Sequence, residues 1–184
     1  MGLFDLFKKK ESEPEYDPTN LKITDLKKGF LVDYEMDSWI VKEEYEYDWG
    51  NHYFTREFQL DNGKELIYLY VDDNEELELS VSRKVKIRAI NEDLPEEIIN
   101  NERPPKKIVY EDVKYLLDEE SAGYFRDVAD GDGDDAWSEL ISWEYYDKSE
   151  KLILNVEQWG EREFEASIGK SVEAYEFSNI LPGS

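Results

Sequence analysis

Residues 56–71, REFQLDNGKELIYLYV, read as a strand, a polar turn and a second strand, and residues 142–159, SWEYYDKSEKLILNVEQW, repeat that arrangement. Each stretch carries a Glu-aromatic pair, Glu57-Phe58 and Glu144-Tyr145, and each leaves through an aliphatic run. Successive strand residues point to opposite faces, so the alternation gives each hairpin one apolar face. In the first, Asn62-Gly63 offers the two positive φ angles of a type I′ turn. A two-residue turn there sets Phe58 opposite Ile67, Arg56 opposite Leu69 and Phe54 opposite Val71, with Arg56 as the polar exception. In the second, a turn centred on Lys148-Ser149 aligns Tyr145 with Leu152, Trp143 with Leu154 and Ile141 with Val156.

The pattern extends outward in both directions. Phe30, Val32 and Tyr34 share one parity; Trp39, Val41, Tyr45, Tyr47 and Trp49 share another. Leu77, Leu79, Val81, Val85, Ile87 and Ala89 all occupy odd positions, which predicts one strand with its apolar side on a core. Asp93-Leu94-Pro95-Glu96 has the form of a capping box with proline in the first turn, predicting a helix over 94–100 that Pro104-Pro105 ends. Alternation resumes at Ile108 and runs through Val113, Tyr115 and Leu117, followed by a polar loop at 127–135 and a strand through Phe164, Ala166 and Ile168. The tail at 171–181 fits a strand or a short helix equally well.

The expected fold is mainly β, with antiparallel sheets or small barrels built from two similar hairpin-containing halves. These span about 22–90 and 108–181, joined by a linker at 91–107 that holds the short helix, behind a partly flexible lead at 1–21. The two halves match with offsets of 87 at Glu57/Glu144, 85 at Val71/Val156 and 76 at Tyr34/Tyr110, so they share a pattern and not a single spacing. The insertion at 127–135 accommodates the difference.

Composition narrows the chemistry. The 184 residues carry a formal net charge of -24, with 46 acidic side chains against 22 Lys and Arg. Phosphate backbones and anionic headgroups are recognised by cations, so nucleic acid and membrane surfaces are not expected partners. A protein presenting a basic surface is. No stretch approaches the roughly 20 apolar residues of a membrane span, and MGLFDLFKKK lacks the apolar centre of a signal peptide. With no cysteine, thiolate metal sites and disulfides are excluded, which fits a cytoplasmic setting.

The entry Leu26-Lys-Lys-Gly29-Phe-Leu-Val-Asp-Tyr34, the aromatic-Glu-aromatic hairpins, the stretch Tyr110-Glu-Asp-Val-Lys-Tyr115-Leu-Leu-Asp-Glu119 and the close Glu161-Arg-Glu-Phe-Glu-Ala-Ser-Ile-Gly169 resemble the bacterial domain of unknown function 4178. The likeness runs from about Lys22 to Leu181. It implies a bacterial, mostly β protein with no established activity and an association with stress. Some members carry a cysteine-rich zinc ribbon, which this chain lacks.

Motifs for catalysis are sparse. Asp130-Gly-Asp132-Gly-Asp134-Asp135 begins like a calcium loop, but Asp135 stands where that loop needs Gly and Ile141 where it needs Glu. His52 is the only histidine, and a turn role suits it better than a triad. No metal or cofactor is expected. Lys84, Lys86 and Arg88 alternate with Val85 and Ile87 and would line one strand face. Cross-strand pairing with acids accounts for them, and an acidic ligand or partner is the alternative. Trp137, beside the acidic loop, is the tryptophan expected to be exposed. Glu57 and Glu144 are the carboxylates to inspect for a pocket between halves. The reading is a non-enzymatic interaction or binding module; an acidic inhibitor or immunity-type protein and a small-ligand enzyme are the alternatives.

Overall fold

In the computed structural model, which describes residues 20–131 and 133–183, the alternating segments form one antiparallel sheet of eleven strands. They are β1 (Leu31–Tyr34), β2 (Asp37–Asp48), β3 (Phe54–Asp61), β4 (Leu66–Asp72), β5 (Glu78–Val85), β6 (Lys107–Tyr110), β7 (Val113–Asp127), β8 (Ser138–Tyr146), β9 (Leu152–Gly160), β10 (Glu163–Val172) and β11 (Phe177–Leu181). Two short helices, α1 (Ile87–Ile90) and α2 (Leu94–Asn101), connect β5 to β6.

The sheet closes on itself. β1 to β5 form one meander and β6 to β10 another, and β5 pairs with β10 from Val85↔Ala166 to Leu79↔Val172. A short ladder from Tyr45↔Asp127 to Asp48↔Tyr124 then joins β2 to β7. The circuit β2-β3-β4-β5-β10-β9-β8-β7 is therefore a barrel, with β1 and β11 continuing from the start of β2 and β6 from the start of β7.

A glycine marks each seam. At Gly169, which faces Ser82 across the β5–β10 seam, a Cβ would lie 2.4 Å from the Val81 carbonyl oxygen and 2.8 Å from Ser82 Cβ. At Gly123, beside the β2–β7 seam, it would lie 2.7 Å from both the Asp48 carbonyl oxygen and the Trp49 ring. Strand glycines of this kind permit close backbone approach.

Apolar cores sit on the outside of this barrel. One gathers Trp39, Val41, Phe58, Leu60, Ile67, Leu69 and Val81 beneath Ile23, Leu26 and Phe30 of the entry segment and Phe177 of β11. The other gathers Trp143, Tyr145, Leu154, Val156 and Ala166 beneath Ile90, Leu94 and Ile98 of the two helices. Arg56, the polar exception on β3, fastens the first cover. Its guanidinium donates to the Thr24 carbonyl at 3.0 Å and pairs with Asp73 at 3.2 Å.

Two bulges decide which side chains enter the barrel. The register shifts between Val41 and Glu43 on β2 and between Leu117 and Glu119 on β7. One extra residue reverses the facing of everything that follows. Trp39 and Val41 consequently join an outer core, whereas Tyr45 and Tyr47, expected on the same side, turn inward.

The hairpin registers differ from expectation by two residues. Phe58 faces Leu69 and Arg56 faces Val71; Tyr145 faces Leu154, Trp143 faces Val156 and Ile141 faces Gln158. Both turns are longer than predicted. Asn62 does not adopt positive φ; its side-chain oxygen accepts the N–H groups of Lys64 and Glu65, both at 3.0 Å. The Asp147 carboxylate accepts N–H groups from Leu152 at 2.9 Å, Lys151 at 3.1 Å and Ser149 at 3.1 Å, which holds it down to about 2. Because strand periodicity is two, the slip preserves each residue's face. Two-residue turns occur instead at Glu35-Met36 (φ 49° and 66°) and Glu111-Asp112 (φ 48° and 63°), where no glycine signals them.

The odd-position run also stops early. β5 ends at Val85, Ile87 opens α1, and Leu77 and Ala89 are exposed. The tail resolves into the end of β10, a single 3-10 turn and β11. The lead sequence MGLFDLFKKK lies outside the described residues, as does Asp132 of the acidic loop.

Gly169→Ala and Gly123→Ala are expected to lower stability by about 1–3 kcal/mol each, the cost of overpacking a close contact. Urea denaturation of both variants checks this, with Gly133→Ala, which meets nothing within 4 Å, as the neutral comparison.

Candidate functional site

With the apolar cores outside, the barrel interior is polar. Every one of its strands contributes to an open cavity of about 1430 Å³, through Tyr47, Glu57, Tyr70, Ser82, Ser121, Glu144, Glu157 and Ser167 among others. A smaller cavity of about 390 Å³ lies toward the opposite end, lined by Tyr45, Tyr47, Tyr68, Phe125 and Trp159 together with Glu57, Asp127, Glu165 and Lys84. Tyr47 and Glu57 border both, so they form a waist between them.

Aromatic packing narrows that waist. Tyr47 stacks on Trp49 with centroids 5.4 Å apart and meets Phe125 edge-on at 5.2 Å, and Phe125 meets Trp159 edge-on at 4.8 Å. The inward turn of Tyr47 follows from the β2 bulge, and Phe125 stands opposite it across the closing ladder. Closure of the barrel and assembly of the cluster are thus one event.

Three carboxylates in this space, Glu57, Glu144 and Glu157, are held above their ordinary range. Burial pushes the Glu57 carboxyl up to about 7; Lys84 opposes the rise and Glu157 adds to it. Burial likewise raises Glu157 against the pull of Lys84, and raises Glu144 against a hydrogen bond from Tyr146. Tyr47, also raised by burial, contacts Glu57 Oε1 from its hydroxyl at 3.4 Å. Burial works to lower the Lys84 ammonium, but Glu157, Glu57 and Glu165 outweigh it and hold the lysine above its usual value. Lys84 pairs with Glu165 at 2.8 Å and stands 3.7 Å from Glu157 Oε2. Glu157 Oε1 accepts from Asn155 at 3.2 Å, while Oε2 is buried with no hydrogen-bond partner.

Of the residues singled out from sequence, Glu57 and Glu144 both face the larger cavity, although by strand pairing they are not counterparts. Glu57 lies next to Phe58, which faces Glu44 of β2, whereas Glu144 lies next to Trp143, which faces Glu120 of β7. Lys84 borders the smaller cavity. The expected cationic stripe does not form, because β5 ends at Val85: Lys86 precedes α1, and Arg88 within α1 pairs with Glu96 at 2.6 Å. Trp137 is half-buried, with the Arg126 guanidinium 4.9 Å from its ring centroid. No group of three or more His, Cys, Asp or Glu side chains suited to a metal ion occurs among the described residues.

Glu157, Asn155 and Tyr70 were not singled out beforehand. Their polar positions in strands read as solvent-facing, the ordinary fate of one side of an antiparallel sheet. A subtler signal was present in the small residues Ser80, Ser82, Ser167, Gly169 and Ser171, which line the same cavity where an exposed strand face would carry longer side chains.

Comparison with known proteins agrees on extent. A family model described as a domain of unknown function, DUF4178, matches residues 27–174, a span that contains all the cavity carboxylates at the waist. An uncharacterized protein of Aquifex aeolicus (strain VF5) is 24% identical over 178 residues, covering 96% of this chain and 94% of that protein. No solved structure matches.

The raised Glu57 carboxyl fixes a pH dependence. Its folded pKa of about 7 exceeds the ordinary carboxylate value, so the folded state holds the proton longer and Glu57 costs stability as pH rises from about 4.5 to 7. Around it stand Tyr47 from β2, Lys84 from β5, Glu157 from β9 and Glu165 from β10. Glu57→Gln is expected to leave stability unchanged near pH 4 and to add about 3 kcal/mol at pH 8, a Tm rise of roughly 6–12 °C for a chain of this size. Thermal melts of both proteins across that range measure it.

Proposed function

The chain belongs to the DUF4178 family of domains of unknown function, and we propose that its barrel is a non-enzymatic binding module that takes a small ligand into its interior. The inversion of polarity carries this reading. Small barrels ordinarily fill their interior with packed side chains, or enclose a ligand when they leave it open. Here the apolar side chains are spent on two outer cores, and the space inside is polar, concave and reached from all the barrel strands. Ligand sites combine such enclosure with a few polar groups and perturbed acids.

The reading includes the origin of the enclosure as two copies of one unit, about 22–90 and 108–181. In support, both meanders open with a short strand and a two-residue turn, and both carry a bulge in the second strand. It also places the protein in the cytoplasm; no helix among the described residues is long and apolar enough to cross a membrane.

One observation favours a second reading. A carboxyl at about 7 inside a cavity is suited to proton transfer, which would make Glu57 the general base of an enzyme acting in the same space. Turnover of a bound ligand that Glu57→Gln abolishes, with affinity intact, would select it.

Ser167→Trp is the direct test of interior binding, because the indole grows into open space and not into a packed core. The variant is expected to keep its circular dichroism and melt within a few degrees of the parent, while losing the thermal shift given by whichever compound of a metabolite panel stabilises the parent. An undiminished shift would place binding elsewhere.

A further inference from the structure

The ligand chemistry follows from what the waist leaves unanswered. Glu157 is 7% exposed and its Oε2 is without a hydrogen-bond partner, a costly condition for a carboxylate. Lys84 stands 3.7 Å away, close enough for an ion pair and too far for a hydrogen bond, and its nearer contact is Glu165 at 2.8 Å. A further N–H donor is therefore wanted at Glu157 from the cavity side. Glu57 lies on the same interior and Tyr47 presents an aromatic wall beside it. Toward the mouth the lining is again acidic, with Glu144 and Asp72, and among the described residues Lys148 is its only cation.

Resting on the reading of the barrel as a small-ligand site, we infer that the ligand is a protonated aliphatic amine whose ammonium sits at the waist, bonded to Glu157 Oε2 and faced by Glu57 and Tyr47. An ammonium supplies several donors to carboxylates and is attracted to aromatic faces. Its alkyl chain would extend along the aromatic lining. An anion is repelled by this surface. A compact metal ion finds no converging set of three ligands among the described residues, and a neutral apolar ligand leaves Glu157 unanswered.

Isothermal titration of the full chain with hexane-1,6-diammonium, n-hexylammonium, the neutral isostere 1-hexanol and Mg²⁺ tests the inference. Both ammonium probes are expected to bind, 1-hexanol at least tenfold more weakly, and Mg²⁺ not to compete at equal concentration. Glu157→Gln should reduce ammonium affinity at least tenfold while retaining the fold, and Glu163→Gln at the β9–β10 turn should leave it within twofold as the control for overall charge. Equal binding of 1-hexanol, full competition by Mg²⁺, or an unaltered affinity in Glu157→Gln would each overturn the ammonium assignment. If a compound of another class binds and Ser167→Trp blocks it, the ammonium assignment fails and the interior site stands. If the parent gives a shift that Ser167→Trp does not reduce, both fail.

Discussion

Closure of the sheet through the short β2–β7 ladder is the constraint on which the rest depends. Four residues of each strand make that contact. Without it the sheet would be open, its polar face would be solvated on one side, and no interior would exist. With it, Tyr47 and Phe125 meet across the seam and the acids on the same face become enclosed. Closure also removes the sheet edges that an open β-protein must protect, leaving, among the described residues, the short outer strands β6 and β11 at the ends of the sheet.

That arrangement has an energetic consequence. Each curved portion of the sheet must bury its apolar outer face against something other than the opposite sheet. The entry segment with β11 covers one side and the two short helices cover the other. Dry packing therefore occurs in two thin layers, and the barrel centre is free of the requirement to be apolar. Glu57 and Glu157 can remain there because the Lys84 ammonium, 3.7 Å from Glu157 Oε2, attracts both carboxylates. Desolvation of such groups opposes folding, so their presence is better explained by binding than by stability.

Much of the architecture was legible in the chain, and the particular failures have physical causes. Alternation located the strands, and Pro95 in the first turn located α2, although Asp93 makes no side-chain cap bond and the expected capping box does not form. The hairpin registers came out two residues off because Asn62 and Asp147 cap wider turns with their side chains in place of tight positive-φ geometry. Of the residues that do adopt two-residue turns, Glu35, Met36 and Glu111 are types that seldom signal them, and Asp112 lacks the following glycine that usually does. Glu57 and Glu144 were found as recurring acids beside aromatics, and both face the cavity. Glu157 was passed over because an acid between Val156 and Gln158 looks like any solvent-facing strand position.

The sequence by itself determined the strands, the faces of most side chains, the family likeness and an acidity that discourages anionic partners. Local periodicity is enough for these, since it survives a two-residue slip. Only the tertiary structure decided which face is inside. Bulges at Val41/Glu43 and Leu117/Glu119 reverse the parity in midstrand, and a pairing between residues some 80 positions apart closes the sheet around the polar face. Neither event leaves a periodic trace, so the same alternating pattern that reads as an exposed surface becomes, after closure, the lining of a cavity.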